Sequence, residues 1–291
     1  MAIDKLQEKI RKMKNPLVID FGMLPEHIPA SFWNNDREFL SAYQAYSTQL
    51  LDGMKSIVPA VRFDFGAFAL HGAEGLNVLA DLLQKAKALA YYVFLDGVES
   101  LSGAAADQAA LMLFSPQCQW TFDGLIISSY IGSDGITPYT NRMKQTDKDL
   151  FLVARTSNRS AAEMQDLLTG SRLAYVAKAD IANRFSQSYV GRSGYSRVAL
   201  VAAASSADCL RTLRGKYKDM FILLDGCDYP NANAKNCSYA FDQLGHGAIA
   251  CAGYSVSGAW REDENCEDGI VAAVRAAERH KKNLTRYVSI L

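Results

Sequence analysis

Eight short apolar runs bounded by turn-forming or polar residues recur along the chain. They are LVIDF at 17–21, IVPAVRF at 57–63, YYVFLD at 91–96, GLIIS at 124–128, LFLVAR at 150–155, VALVAA at 198–203, FILLD at 221–225 and GAIACA at 247–252. Within each, Val, Ile, Leu, Ala and Phe follow one another almost without interruption, the pattern of parallel strands covered on both faces. Helical stretches fill the intervals at 36–55, 73–89, 104–114, 134–144, 161–190 (one long helix or two shorter ones), 206–218, 234–243 and 263–288, and a short helix at about 3–14 precedes them. Asn35-Asp36, Ser205-Ser206 and Glu262-Asp263-Glu264 supply acceptors or negative charge where free backbone N–H groups open a helix. Eight strands alternating with helices predict an α/β chain folded as a (β/α)8 TIM barrel in preference to an open doubly wound sheet. No GxGxxG follows the first run and no GxxxxGK[ST] occurs, so the sequence lacks the phosphate cradles typical of open-sheet nucleotide binders. Residues 1–291 read as one barrel domain.

The balance of 31 Lys and Arg against 31 Asp and Glu removes any bulk attraction to phosphate backbones or anionic lipid. The apolar runs fall well short of the roughly 18 to 20 residues that cross a bilayer. The expectation is a cytoplasmic protein without nucleic-acid or membrane partners. Cys118, Cys209, Cys227, Cys237, Cys251 and Cys266 form no CxxC pair and have no histidine at ligand spacing. They read as free, mostly buried thiols rather than a zinc site or a disulfide framework, so no metal or cofactor is expected.

In a barrel, function gathers at the C-terminal strand ends. There the chain carries Asp20 to Gly22, Arg62 and Asp64, Asp96 and Glu99, Ser128 to Tyr130, Arg155 to Asn158, Ser205 and Ser206, Asp225 to Asp228, and Gly253 to Ser255. Asp64, Asp96, Glu99, Asp225 and Asp228 could converge as a divalent-cation site, but capping of helices and loops is the preferred reading.

Four blocks, IVPAVR at 57–62, GAEGLNVL at 72–79, YIGSDGITPY at 130–139 and FLVARTSNRSAAEMQDLL at 151–168, resemble the orotidine 5'-phosphate decarboxylases, in particular their longer bacterial branch. The resemblance runs from about Ile3 to Ala277. It implies a (β/α)8 barrel, a homodimer with sites at the subunit interface, and cofactor-free conversion of orotidine monophosphate to uridine monophosphate.

The residues that would carry that chemistry depart from the family pattern. The family's Lys-Asp-Lys-Asp array aligns with Arg62, Asp96, Val98 and Leu101, leaving Asp96 and Arg62 as catalytic remnants. The reaction leaves a vinyl carbanion that needs a positioned cation and a proton, and valine supplies neither. The family's glycine-rich phosphate turn aligns with DGCDYPNA at 225–232, where only Gly226 is kept and Pro230 stands at the glutamine position. Tyr254 occupies the place of the phosphate-clamping arginine, and Gly22 that of the ribose-binding aspartate, with Asp20 two residues earlier.

The block Thr156-Ser157-Asn158 matches the loop that contacts the pyrimidine in the family. It reads either as a retained base site or, preferably, as a structural turn. Asp134 in GSDG reads as a helix N-cap rather than a ligand-loop residue.

The favoured expectation is a divergent homologue with little or no decarboxylase activity, a pseudoenzyme or repurposed binding protein. Its ligand would be a pyrimidine nucleoside or nucleotide held by Ser157, Thr156, Asn158, Asp20 and Tyr254. It would pair with itself or with an active paralogue. One alternative is an enzyme that uses Arg62, Asp64, Asp96 and Glu99 on a less anionic ligand. Another is residual decarboxylation with a replacement lysine, for which Lys144 and Lys148 are the nearest in sequence. A mouth plugged by Tyr130, Tyr229 and Tyr254 would favour the first expectation; Asp96 and Glu99 turned inward with raised pKa values would favour an enzyme.

Overall fold

A computed structural model describes the chain apart from Met23, residues 34–37, Ser129, Pro230 and residues 263–267. The helix starts expected at Asn35-Asp36 and at Asp263-Glu264, the Pro230 substitution and Cys266 lie outside the described residues. Eight parallel strands close into a barrel: β1 (Leu17–Asp20), β2 (Ala60–Asp64), β3 (Tyr92–Asp96), β4 (Gly124–Ile127), β5 (Asp149–Val153), β8 (Ser196–Ala203), β9 (Met220–Asp225) and β10 (Ala248–Ala252). Each coincides with one of the predicted apolar runs. Their order around the barrel is β1-β10-β9-β8-β5-β4-β3-β2, with every neighbouring pair parallel.

Helices α1 (Ala2–Met13), α2 (Phe39–Met54), α3 (Phe65–Ala69), α4 (Gly72–Ala88), α5 (Gly103–Leu113), α6 (Thr137–Arg142), α7 (Ala174–Ser186), α8 (Ala207–Lys216), α9 (Ala234–Ser238), α10 (Tyr254–Ser257) and α11 (Gly269–Thr285) complete it. The expected N-terminal helix is α1, and Ser206 caps α8 by accepting from the Cys209 N–H.

Three local expectations are corrected. The stretch 161–190 is neither one helix nor two. A 3-10 turn at Arg159–Glu163 leads into a hairpin of β6 (Leu168–Thr169) and β7 (Arg172–Leu173), and α7 follows. Gly170 adopts a left-handed φ of 68° in the Thr-Gly-Ser-Arg turn, which a continuing helix does not permit. Asp134 lies within a 3-10 turn (Gly132–Gly135), and α6 begins at Thr137 with no side-chain cap. The cap of α11 is Asp268, which accepts from Ile270 and Val271.

The strand registers determine which side chains enter the barrel. Gly124 pairs with Phe94 on one side and Asp149 on the other. A Cβ on Gly124 would lie 2.7 Å from the Tyr92 hydroxyl and 3.0 Å from Phe151, so the missing side chain makes room for rings from β3 and β5. Phe94 and Phe151 meet edge to face with centroids 4.9 Å apart, and Phe151 continues to Phe221 at 6.3 Å. Alternate strands thus fill one aromatic layer, as a barrel interior requires. Above this layer the same registers place Asp20 beside Arg62 and Asp64 beside Asp96.

Candidate functional site

At the mouth, Arg62 reaches across β1, β3 and β9. Its Nη1 lies 2.6 Å from Asp225 Oδ1, its Nη2 3.1 Å from Asp96 Oδ2, and its Nε 3.8 Å from Asp20 Oδ1. Cys251 Sγ is 3.8 Å from Nη1. Burial opposes the guanidinium charge, but Asp20, Cys251, Asp96 and Asp225 together hold it protonated. Burial also pushes the Asp96 carboxyl up to about 6 despite the pull of Arg62. Asp20 is raised for the same reason, with Asp225, Asp64 and Asp228 adding repulsion. One cation therefore serves three carboxylates, and the mouth has surplus negative charge.

The other acidic residues have local tasks. Asp64 caps α3 through the Ala67 N–H at 3.1 Å. Glu99 accepts from the Ser128 N–H at 3.2 Å and does not join the Arg62 cluster, so of the two inward carboxyls expected for an enzyme only Asp96 is there. Asp228 crosses from the loop after β9 to the turn that opens α10. It accepts from the Gly253 N–H at 2.6 Å, the Ser255 N–H at 3.5 Å and the Ser255 hydroxyl. Ser255 Oγ also pairs with His280 Nε2 at 2.7 Å, and burial holds His280 below the usual histidine range. This is the turn where the family resemblance expects phosphate.

Val98 is half-buried against the core, and Leu101 is 87% exposed. The three tyrosines whose closing of the mouth would have favoured a binding protein do not plug it: Tyr130 is 78% exposed, Tyr229 46% and Tyr254 37%, and Tyr254 turns towards His27 with ring centroids 5.1 Å apart. Charge rather than rings crosses the mouth, because the β1 and β3 registers carry aspartates inward on both sides of Arg62. Lys148 binds the carbonyls of Leu113 and Trp120 just before β5, at the opposite end of the barrel, and Lys144 lies in a 3-10 turn after α6. Neither reaches the mouth. Among the described residues no three or more His, Cys, Asp or Glu side chains converge as a metal site.

Thr156, Ser157 and Asn158 follow β5 and are braced from beneath. Gln165 accepts from the Thr156 N–H and donates to Thr156 Oγ1, both at 2.7 Å, while Arg155 grips Asp166 through two 2.8 Å bonds. Ser157 is 7% exposed, and its hydroxyl donates to the Asp225 carbonyl at 2.5 Å. The contact depends on Gly226, whose φ is 73° and whose added Cβ would sit 2.4 Å from Ser157 Cβ. A cleft of about 410 Å³ opens here, lined by Arg155, Ser157, Asn158, Arg159, Ser205, Ser206, Tyr229 and Asn231. The roles of Asp228 and the Gln165 brace were not legible beforehand; the only signal was their position in or just after strand-end loops.

No family model matches the chain. Curated relatives named orotidine 5'-phosphate decarboxylase do. That of Caldicellulosiruptor saccharolyticus is 24% identical over 261 residues, covering 84% of this chain and 86% of the relative, and that of Petrotoga mobilis is 22% identical over 272 residues, covering 92% and 91%. Among solved structures, the OMP decarboxylase of Leishmania donovani superposes with a TM-score of 0.75 at 20% identity, covering 98% of each chain. The Plasmodium berghei orotidine 5'-monophosphate decarboxylase gives 0.78 at 11%, covering 99% of this chain and 98% of its own. The chain is similar to these decarboxylases over most of its length and has the (β/α)8 TIM-barrel fold. No helix among the described residues is long and apolar enough to cross a membrane.

Proposed function

We propose that this chain is a divergent orotidine 5'-phosphate decarboxylase homologue that does not decarboxylate orotidine monophosphate and instead binds a pyrimidine nucleoside or a ligand of similarly low charge. The observation that carries the reading is the Asp228 carboxylate on the Gly253 and Ser255 donors. A phosphate dianion arriving there meets a like charge that already uses the N–H groups it needs. The Arg62 cluster supports the same reading. A guanidinium bound by Asp96 and Asp225 is a poor proton donor, and Val98 offers no proton to the vinyl carbanion. The cleft beside Ser157 supplies hydroxyl and amide groups with the Tyr229 ring, and of the two arginines that also line it, Arg155 is already neutralised by Asp166 while Arg159 adds one cation.

The test is a decarboxylation assay together with thermal unfolding in millimolar uridine, uridine monophosphate or orotidine monophosphate. Uridine is expected to raise the melting temperature, since a ligand at 100 times its dissociation constant adds about 2.7 kcal/mol. The monophosphates should add nothing beyond uridine, and no carbon dioxide should form. Preferential stabilisation by the monophosphates with turnover would overturn the reading.

Asp96, raised to about 6 beside Arg62, favours a second reading in which the mouth shuttles a proton for a weakly charged substrate. A rate profile with an inflection near that pH, lost in Asp96→Asn, would select it. Self-association belongs to the proposal as well, because exposed Leu101 replaces the aspartate that reaches across the family's dimer. Sedimentation equilibrium tests it, with a dimer expected and a monomer at micromolar concentration counting against it.

A further inference from the structure

A second cleft, of about 540 Å³, opens between α9 and α11, outside the barrel mouth. Because α9 has only five residues, the helical layer is short here, and Leu17 of β1 and Ala250 of β10 form part of the cleft floor, which Leu284 of α11 extends. Two cations border this apolar surface from different elements, Lys235 on α9 and Arg286 at the C-cap of α11. Both are exposed, and among the described residues neither side chain is engaged in an ion pair or a hydrogen bond. No Asp or Glu stands among the described residues that line the cleft. In a chain whose 31 Lys and Arg balance 31 Asp and Glu, this is a local excess of positive charge, opposite in sign to the excess at the mouth.

We propose that this cleft binds a small dicarboxylate, a free acid whose two carboxylates are joined by a short carbon chain. The cleft has the volume of a small-molecule pocket, for which about 300 to 1,000 Å³ is usual. Its two cations belong to separate elements, so each takes one carboxylate: Arg286 through the paired N–H groups of its guanidinium, Lys235 as a point charge. Leu17, Ala250 and Leu284 offer apolar surface to the carbon chain between them. A phosphate ester, with its charge gathered at one end, would leave one cation unanswered. His280 lines the same cleft but adds no third cation at neutral pH, because burial holds it below the usual histidine range. Its Nε2 pairs instead with Ser255 Oγ at 2.7 Å, and Ser255 with Asp228. This relay stands between the two sites: an anion in the cleft meets Lys235 and Arg286, whereas one at the mouth meets Asp228.

The experiment is isothermal titration of the full-length protein with succinate and glutarate, set against propionate and butyrate, which keep the carbon chain and lack one carboxylate, and against inorganic phosphate. At least one dicarboxylate is expected to bind at millimolar concentration. Its single-carboxylate analogue should bind about tenfold more weakly, the loss of one charged, hydrogen-bonded contact. Lys235→Ala and Arg286→Ala should each weaken the dicarboxylate by about the same factor. Arg159→Ala, which removes a cation of the base cleft, should leave it unchanged. Thermal unfolding confirms that each variant is folded before it is compared. Absence of binding by both dicarboxylates would overturn the proposal. So would binding that survives both Lys235→Ala and Arg286→Ala, binding lost in Arg159→Ala, or inorganic phosphate binding as tightly as the dicarboxylate. Uridine titrated into the same variants keeps this site distinct from the pyrimidine reading, since neither Lys235 nor Arg286 lines the base cleft.

Discussion

Asp228 accepts a hydrogen bond from the Gly253 N–H across 25 residues of sequence, at 2.6 Å, and so places the chain's own negative charge on the turn after β10. The carboxylate takes the Ser255 hydroxyl as well. Removing the charge while keeping the shape should make the turn receptive to an anion. Asp228→Asn is therefore expected to bind uridine monophosphate about tenfold more tightly than the parent, equivalent to about 1.4 kcal/mol. Isothermal titration checks it; unchanged or weaker binding would mean that Asp228 does not guard the turn.

Arg62 is the shared partner of Asp20, Asp96 and Asp225. Replacing it with methionine leaves three carboxylates facing one another, and loss of one member of a buried ion pair costs about 3 to 5 kcal/mol. Urea unfolding of Arg62→Met at pH 7.5 should show a loss of that order. At pH 5 the loss should be smaller, because a protonated Asp96 needs no cation. A pH-independent loss would show that the arginine contributes packing alone.

The pH dependence has a definite sign. Asp96 has a folded-state pKa of about 6 against an ordinary 3.8, so between those values the folded chain holds a proton that the unfolded chain releases. Its contribution to stability is fully present below about pH 4 and is lost as the pH rises through 6. Asp96→Asn should flatten the stability profile across this window, seen as a smaller difference in melting temperature between pH 4.5 and 7 than in the parent. An unaltered slope would assign the titration to another group.

Gly226 tests the brace beneath the base cleft. With a φ of 73° and a Cβ position 2.4 Å from Ser157 Cβ, an alanine there meets both backbone strain and a clash. Gly226→Ala is expected to lose about 1 to 3 kcal/mol and to weaken any uridine-induced shift in melting temperature. A double variant with Ser157→Gly should recover the part due to the Ser157 clash and leave the part due to φ and to the Tyr229 ring, whose Cδ2 lies 2.7 Å from the added Cβ, as thermal unfolding can show.

The barrel was legible because its determinants are local and periodic. Eight apolar runs such as VALVAA, whose β8 residues are all buried, have no stable place except between two covering layers. The 161–190 stretch misled because Gly170 can adopt a backbone conformation that helical periodicity does not reveal. At the mouth, residue types were legible and partners were not. Arg62, Asp96 and Asp225 could be named as strand-end residues, and Val98 and Leu101 as departures from the family pattern. That Asp20 joins Arg62 follows from the β1–β2 register, and that Asp228 turns to Gly253 follows from the meeting of two loops.

By itself, then, the sequence determined the eight-strand rhythm, the N-terminal helix, the balanced charge and the substitutions in the lysine and phosphate patterns. Those properties reside in single residues or in neighbours a few positions apart. Only the tertiary structure decided that one guanidinium would answer three carboxylates and that a carboxylate would sit on the turn after β10. Such pairings depend on register and loop closure, which bring residues 25 to 163 positions apart within hydrogen-bonding distance and leave no periodic trace in the chain.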